Sequence, residues 1–250
     1  MKIYSTNRIN ALGLKGPEET HNYFPEAEYI QVDNGNIQES EQILYNKAKE
    51  IFANSGASPS LPSTIYHLPS REKPAVFLGG DHSITYPIFK AFQQSHKNPF
   101  LIIFDAHADC MPHTQEPTHE EFLEAIISNG FPPEKIILIG LRKVEREEKE
   151  FLDKHKIKIL QDPKQIINLT KNHDLYVSID IDALDPSIAP AVNYPEPNGL
   201  SEKEFFQILI ELLKQNPKAI DIVEAVPEKD QDNKTLKLIT EIIKEATNLS

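Results

Sequence analysis

Short apolar runs recur along the chain and are separated by amphipathic segments. Each run holds four or five residues rich in Val, Ile, Leu and Phe, which is typical of strands that are buried on both faces. The predicted strands are 75–78, 100–104, 136–139, 157–160, 175–179 and 220–223. Their largely continuous hydrophobicity favours a parallel sheet with helices on its faces.

The segments between these runs carry polar and apolar residues at helical spacing. The predicted helices are 86–96, 120–129, 145–155, 165–171, 202–215 and a closing helix at 236–246. Ser201 with Glu204, and Thr118 with Glu121, have the spacing of capping boxes at two helix starts. Alternating strands and helices predict an α/β fold, and 250 residues fit one domain that spans 1–250.

Composition narrows the class of partner and the compartment. The formal net charge of -12, from 26 Lys and Arg against 38 Asp and Glu, argues against a nucleic-acid partner and fits a cationic ligand. A single cysteine, Cys110, excludes an intramolecular disulfide and favours a reducing compartment. Polar residues interrupt segment 1–14, where a signal peptide needs an apolar stretch, and no segment approaches about 20 apolar residues. We therefore expect a cytoplasmic protein that binds no membrane.

Acidic and histidine residues follow three of the predicted strands directly. The segments concerned are 79–83 (GGDHS), 105–109 (DAHAD) and 178–186 (SIDIDALDP). Because the carboxyl ends of parallel strands meet at one edge of a sheet, we expect these side chains to converge. Any one segment has an ordinary alternative, since a lone Asp-x-Asp is commonly a cap or a loop-stabilising acid. Three together favour a metal site, because buried acids are costly unless a cation or a proton compensates their charge.

The chemistry of these ligands narrows the choice of metal ion. Two imidazoles and four carboxylates, with no thiolate, make a hard, oxygen-rich site that suits Mn²⁺ better than structural zinc, although zinc or iron could occupy it in vitro. Four aspartates balance the charge of two divalent ions. Two ions about 3.5 to 4 Å apart lower the pKa of a shared water enough to give hydroxide near neutral pH.

The three segments resemble the metal motifs of the ureohydrolase (arginase and agmatinase) family, in the family's order and at similar separations. The resemblance also takes in 189–192 (APAV), 198–201 (NGLS) and 222–227 (IVEAVP), and it covers roughly residues 75 to 230. It implies an arginase-like fold of three α/β/α layers around a mostly parallel central sheet. It also implies two Mn²⁺ ions, a homo-oligomer, and hydrolysis of a guanidino C–N bond that releases urea.

Carried over position by position, the resemblance implies six metal ligands. They are His82, Asp105, His107, Asp109, Asp180 and Asp182. Asp105 and Asp180 would bridge the two ions. His82 and Asp109 would complete the ligands of one ion, and His107 and Asp182 those of the other.

The resemblance also suggests residues that contact the substrate. Glu224 stands where the family has a glutamate that pairs with the guanidinium, in line for attack by the hydroxide. A family histidine in the loop after the second motif binds substrate or transfers protons, and His119 is the candidate, with His113 as the alternative. We expect His119 at the first helical position after Thr118, where the helix dipole lowers its pKa. Glu145 falls where an arginase acid meets the substrate's α-amino group, although it also suits an exposed helix start.

Departures from the family leave the substrate open. The loop 110–119 lacks both the serine-rich stretch by which arginases hold an α-carboxylate and the His-Gly pair common in agmatinases, and Asn193 stands where glycine is usual. We expect a small cationic guanidino substrate such as agmatine, arginine or a shorter compound. Two alternatives remain, a formimino or amide hydrolase on the same scaffold and a non-catalytic member. The complete set of six ligands speaks against the second alternative.

Overall fold

The computed structural model describes residues 2–10, 15–55, 73–113 and 116–248, so the N-terminal and loop predictions that concern residues 1, 11–14 and 114–115 lie outside the described residues. Eight strands form one sheet in the order β2-β1-β3-β8-β7-β4-β5-β6. Every neighbouring pair in it is parallel. The strands are β1 Ile3–Thr6, β2 Glu28–Ile30, β3 Ala75–Leu78, β4 Pro99–Phe104, β5 Ile136–Ile139, β6 Lys158–Ile159, β7 Asp174–Asp180 and β8 Ala219–Val223. The predicted parallel α/β architecture is confirmed.

Seven helices of the described residues cover the two faces of the sheet. They are α1 Ile37–Ser55, α2 Thr85–Ser95, α3 Phe122–Ser128, α4 Arg146–His155, α5 Pro163–Thr170, α6 Glu202–Leu213 and α7 Lys234–Asn248. Buried side chains of α1 to α4 share one core cluster, and those of α5 to α7 share the other. Two cores separated by a sheet make the three-layer arrangement expected.

Successive residues of a strand supply the two cores in turn. In β4, Leu101 and Ile103 belong to one core, while Ile102 and Phe104 belong to the other, and none of these side chains is more than 1% exposed. A strand that is buried on both faces has no polar alternation, which explains why its sequence is an unbroken apolar run.

The amino-terminal elements β1, β2 and α1 were not predicted. β1 carries polar Ser5 and Thr6, which are buried, and β2 is a three-residue edge strand. Neither is an apolar run. Helix α1 does have a readable apolar stripe, since Leu44, Ala48 and Ile51 are buried at helical spacing.

Helix α6 begins as predicted. The Ser201 hydroxyl accepts the N–H of Glu204 at 3.3 Å, and the Glu204 carboxylate accepts the N–H of Ser201 at 2.9 Å. This reciprocal pair satisfies two of the free N–H groups at the helix start. No helix of the described residues combines the length and the apolar character that crossing a membrane requires.

Candidate metal centre and active site

Four neighbouring strands at the middle of the sheet deliver the candidate residues. They lie in the order β3, β8, β7, β4, and all of them end at the same edge because they are parallel. The residues that follow them are His82 after β3, Glu224 after β8, Asp180 and Asp182 at the end of β7, and Asp105, His107 and Asp109 after β4. Ligand sites in open parallel sheets lie at this edge.

Local turns aim these side chains inward. Gly80, at φ +80, precedes the 3-10 turn that starts at His82, and a Cβ there would lie 2.4 Å from the carbonyl oxygen of Arg8. Asp180 caps a second 3-10 turn, because its carboxylate accepts the N–H of Asp182 at 2.8 Å. Asp109 (φ 49) and Glu224 (φ 63) both have left-handed backbones, which residues with a side chain adopt at a cost.

One group of candidate ligands surrounds His82. Its Nδ1 lies 3.1 Å from an oxygen of Asp105, 3.1 Å from an oxygen of Asp109 and 3.4 Å from an oxygen of Asp180. The His82 side chain is fully buried, and the ring of Phe122 packs against it at 4.1 Å between ring centroids. Three carboxylates therefore converge on one nitrogen of a buried imidazole.

A second group adjoins the first and shares Asp105 with it. The Nδ1 of His107 lies 2.8 Å from Asp182 Oδ2 and 3.7 Å from Asp105 Oδ1. Each group places three potential ligand atoms within 4.8 Å of one another, so each could hold a metal ion. The structure thus brings all six sequence-predicted ligands together, with Asp105 between the two groups.

In the metal-free site, bound protons offset the negative charge of the closely spaced carboxylates. Burial and the neighbouring aspartates raise the pKa of Asp105 and that of Asp180 well above their usual value. Burial alone would lower the pKa of His82, but the three carboxylates around it raise it well above 6.5. For His107, burial again acts downward, and Asp182 raises the pKa to about 10. The neighbouring carboxylates favour the protonated, charged form of each histidine. A divalent cation bound here would take the place of that proton.

Four buried side-chain polar atoms of the described residues have no hydrogen-bond partner; two belong to Arg8, and the other two fit a cation. His82 Nδ1 and Asp105 Oδ2 face one another at 3.1 Å, yet their geometry is not that of a hydrogen bond. Unpartnered buried polar atoms are rare because each costs about 1–3 kcal/mol. A metal ion coordinated by both atoms would satisfy them, and the set of imidazole and carboxylate donors suits a hard divalent ion.

A cavity of about 270 Å³ opens over this cluster. Glu224 lies at its floor and is 5% exposed. Its Oε1 accepts the backbone N–H of His82 at 2.9 Å and lies 3.2 Å from Nδ1 of His119. Burial raises the pKa of Glu224, and the interaction with His119 acts in the opposite direction.

The expectation for the pKa of His119 is wrong. Helix α3 begins at Phe122, so His119 lies in the turn before it rather than at the first helical position. The Thr118 hydroxyl accepts from the N–H of Glu120, and only the Glu121 carboxylate makes its predicted contact, with the N–H of Thr118. Burial acts downward on the pKa of His119, but Glu224 raises it to about 9.

The remaining predicted residues lie farther from the cluster. His113 pairs with Glu124 of α3 and is not among the residues that line the cavity, whereas His119 is. Glu145 lies at the mouth of the cavity, where it is ion-paired with Lys143 at 3.0 Å. Its backbone N–H donates to Glu148 at 2.8 Å, so it also begins helix α4.

Some residues of the site were not predicted from the sequence. Glu148 lines the cavity and is 5% exposed, although its helix reads as a charged, exposed one. Tyr194 and Glu196 form the opposite wall. Arg142 fixes that wall, because its guanidinium donates to the carbonyl oxygens of Asp182 at 2.6 Å and Glu196 at 2.7 Å. Its place directly after β5 was the available signal, since it lies at the same edge as the ligands.

An α/β sheet that gathers histidines and carboxylates under a cavity at its carboxyl edge has the location and the ligand types of a metal-dependent active site. A family model described as Arginase family matches residues 8–248, and the chain belongs to this family. The family is metal-dependent. The protein is accordingly a hydrolase that acts on amidine or guanidino C–N bonds.

Named relatives agree with this assignment. The agmatinase of Halalkalibacterium halodurans is 28% identical over 225 residues, which are 82% of this chain and 75% of the relative. The N(1)-aminopropylagmatine ureohydrolase of Thermus thermophilus is 31% identical over 163 residues, 61% of this chain and 55% of the relative. The solved arginase of Bacillus subtilis shares the fold, with a TM-score of 0.82 at 19% identity over 100% of this chain and 99% of that one.

Proposed function

We propose that the protein is a manganese-dependent ureohydrolase that releases urea from a small guanidino compound with a distal amine. The observation that carries this proposal is the position of Asp105 between two groups of ligands, each centred on a buried or half-buried histidine, beneath the cavity that Glu224 and His119 line. We propose further that the unit is one domain, 1–250, and a cytoplasmic homo-oligomer.

The six predicted ligands would hold two Mn²⁺ ions. Asp105 and Asp180 would be shared, His82 and Asp109 would belong to one ion, and His107 and Asp182 to the other. Their four carboxylates match the charge of two divalent cations. The chemistry that such cations supply when bound is Lewis acidity, which activates water at neutral pH.

Glu224 would orient the substrate. Its buried carboxylate is fixed by the N–H of His82 and by His119, so it presents a negative charge at a defined place on the cavity floor. A planar guanidinium pairs strongly with a carboxylate through parallel N–H donors. The contact would hold the central carbon of the guanidinium above the metal ligands.

His119 would handle the proton that the leaving amine requires. Glu224 raises the pKa of His119 to about 9, which favours the protonated form that a general acid needs. Its Nδ1 contacts Glu224, so substrate orientation and proton transfer would be coupled in one pair of side chains.

The upper cavity favours a second positive charge on the substrate. Its walls carry Glu120, Glu145, Glu148 and Glu196 against one lysine, Lys143. Such an excess of carboxylates attracts an ammonium group. The names of the two relatives, which refer to agmatine and to N(1)-aminopropylagmatine, support a guanidino substrate with a distal amine.

A panel of substrates tests the proposal. With manganese-loaded protein, we expect urea release from agmatine or arginine, and poor release from 4-guanidinobutyrate, whose distal group is a carboxylate. Glu145→Ala should raise KM for the amine-bearing substrate with little change in kcat, since that contact is similar in ground and transition states. Lys143→Ala is the matched control, because it removes the partner of Glu145 and should not raise KM.

Other outcomes would redirect the proposal. Preference for guanidinobutyrate, or an unchanged KM in Glu145→Ala, would exclude a substrate role for Glu145. Release of formamide or of an acid, without urea, would identify the formimino or amide alternative. Absence of bound metal after purification from manganese-supplemented cells would indicate a non-catalytic member.

A further inference from the structure

An acidic residue lies in the interior of the central strand β8, away from the cavity. Asp221 is 0% exposed and is surrounded by hydroxyl groups of two other elements. Tyr176 donates to its Oδ2 at 2.5 Å, Thr85 donates to the same oxygen at 2.9 Å, and Ser178 donates to its Oδ1 at 2.6 Å. Burial raises the pKa of Asp221, whereas the three hydroxyl groups that donate to its oxygens favour the ionised form and satisfy both oxygens.

The hydroxyl of Ser178 also touches a candidate metal ligand. Its Oγ lies 3.0 Å from Nε2 of His82, and both side chains are 0% exposed. A serine hydroxyl has one proton to donate, and Asp221 receives it. The oxygen can therefore only accept toward His82, so Nε2 of the imidazole must carry a hydrogen.

We infer that Asp221 and Ser178 act as positioning residues that fix the tautomer of His82. With the proton held on Nε2, the lone pair of the neutral ring lies on Nδ1, the atom that faces Asp105, Asp109 and Asp180. This inference rests on the proposed manganese centre. Histidine ligands of metals commonly donate their other ring N–H to such a partner, which sets the ring orientation.

Among the described residues, none gives the second histidine, His107, a comparable hydrogen bond. Nε2 of His107 lies 3.9 Å from Glu196 Oε1, beyond hydrogen-bond distance, and the His107 side chain is 23% exposed. The two halves of the centre are therefore unequal. Only the ion held through His82 should depend on Ser178.

Titration of metal-depleted protein with MnCl₂ tests the inference, with free Mn²⁺ measured by electron paramagnetic resonance. Ser178→Ala should weaken one of the two ions about 10- to 100-fold, the range found when such supporting partners are removed. The other ion should bind as in the wild type. Tyr176→Phe is the matched control, because it removes a 2.5 Å hydrogen bond to Asp221, close to the 2.6 Å bond of Ser178, without touching His82.

Thermal unfolding and manganese affinity together distinguish a positioning role of Ser178 from a general loss of stability. Thermal unfolding of the metal-free variants should show comparable losses for Ser178→Ala and Tyr176→Phe, with manganese affinity lost only in the first. Ser178→Cys keeps the side-chain volume but offers a weak acceptor, and it should show the same selective loss if the alanine variant does not fold.

Three results would overturn the inference. Wild-type affinity at both sites in a folded Ser178 variant excludes it, and so does an equal loss in Tyr176→Phe. These results leave the proposed function intact, provided that the wild type binds two Mn²⁺ ions. A wild type that binds no Mn²⁺ removes the proposed centre, and this inference with it.

Discussion

The pair formed by His119 and Glu224 gives the sharpest test of the site's electrostatics. Glu224→Gln keeps the shape of the side chain and removes its charge. Burial acts to lower the pKa of His119, and Glu224 is the main group that raises it from 6.5 to about 9. Without that carboxylate, burial prevails over the weaker effects of Asp81 and Asp109. We expect the pKa of His119 to fall by about 2 units or more, toward 6.5 or below.

The magnitude follows from the conversion between pKa and free energy. A rise from 6.5 to about 9 corresponds to ~3 kcal/mol at about 1.4 kcal/mol per unit. Because the folded pKa is the higher one, this stabilisation is fully present below pH 6.5 and is lost as the pH rises through about 9. The metal-free wild type should therefore lose up to ~3 kcal/mol more between pH 6.5 and 10 than Glu224→Gln does.

Two measurements check this expectation. NMR titration of the histidine-labelled, metal-free protein reports the pKa of His119, and urea unfolding at pH 6.5 and 10 reports the stability difference. Glu145→Gln is the control, because Glu145 pairs with Lys143 rather than with a histidine. The reasoning is refuted by a His119 that titrates near 6.5 in the wild type, or by one that still titrates near 9 in Glu224→Gln.

Two further predictions concern the ligands and the proton donor. Asp105→Asn should abolish metal binding and activity. It should also raise the stability of the metal-free protein at pH 7, because burial and the neighbouring aspartates disfavour the charged carboxylate there. Metal analysis and urea unfolding check both parts, and lower stability would contradict the second. His119→Asn should lower kcat roughly 10²-fold or more with metal content unchanged. His113→Asn alters a residue outside the cavity lining and should leave kcat near the wild-type value. The reverse result would make His113 the proton donor.

The sequence predicted the metal cluster because its residues directly follow unbroken apolar strands. The parallel arrangement then determines where Asp105 and Asp180 meet. The same reasoning does not reach β1 and β2, because Ser5 and Thr6 are buried polar residues and Tyr29 lies on an exposed edge. Their inclusion in the sheet depends on neighbours, not on their own hydrophobicity.

The other features of the site could not be predicted from the sequence, because they depend on interactions between residues that are distant along the chain. The helix-dipole argument for His119 used only local sequence, while the group that governs its pKa, Glu224, is 105 residues away. Glu148 shows the same limit. Nothing in a charged helical segment distinguishes it from Glu147, although only Glu148 is buried in the cavity wall.

The left-handed backbones of Asp109 and Glu224 bear on how this site persists in evolution. Glycine adopts that conformation freely, so glycine at either position would relieve backbone strain of order 1 kcal/mol while deleting a carboxylate that the proposed chemistry needs. For Glu224 the ion pair with His119 offsets this strain. For Asp109, selection for a stable fold acts against the acid, and selection for activity retains it. A lineage released from that second pressure would lose the reaction first and keep the fold.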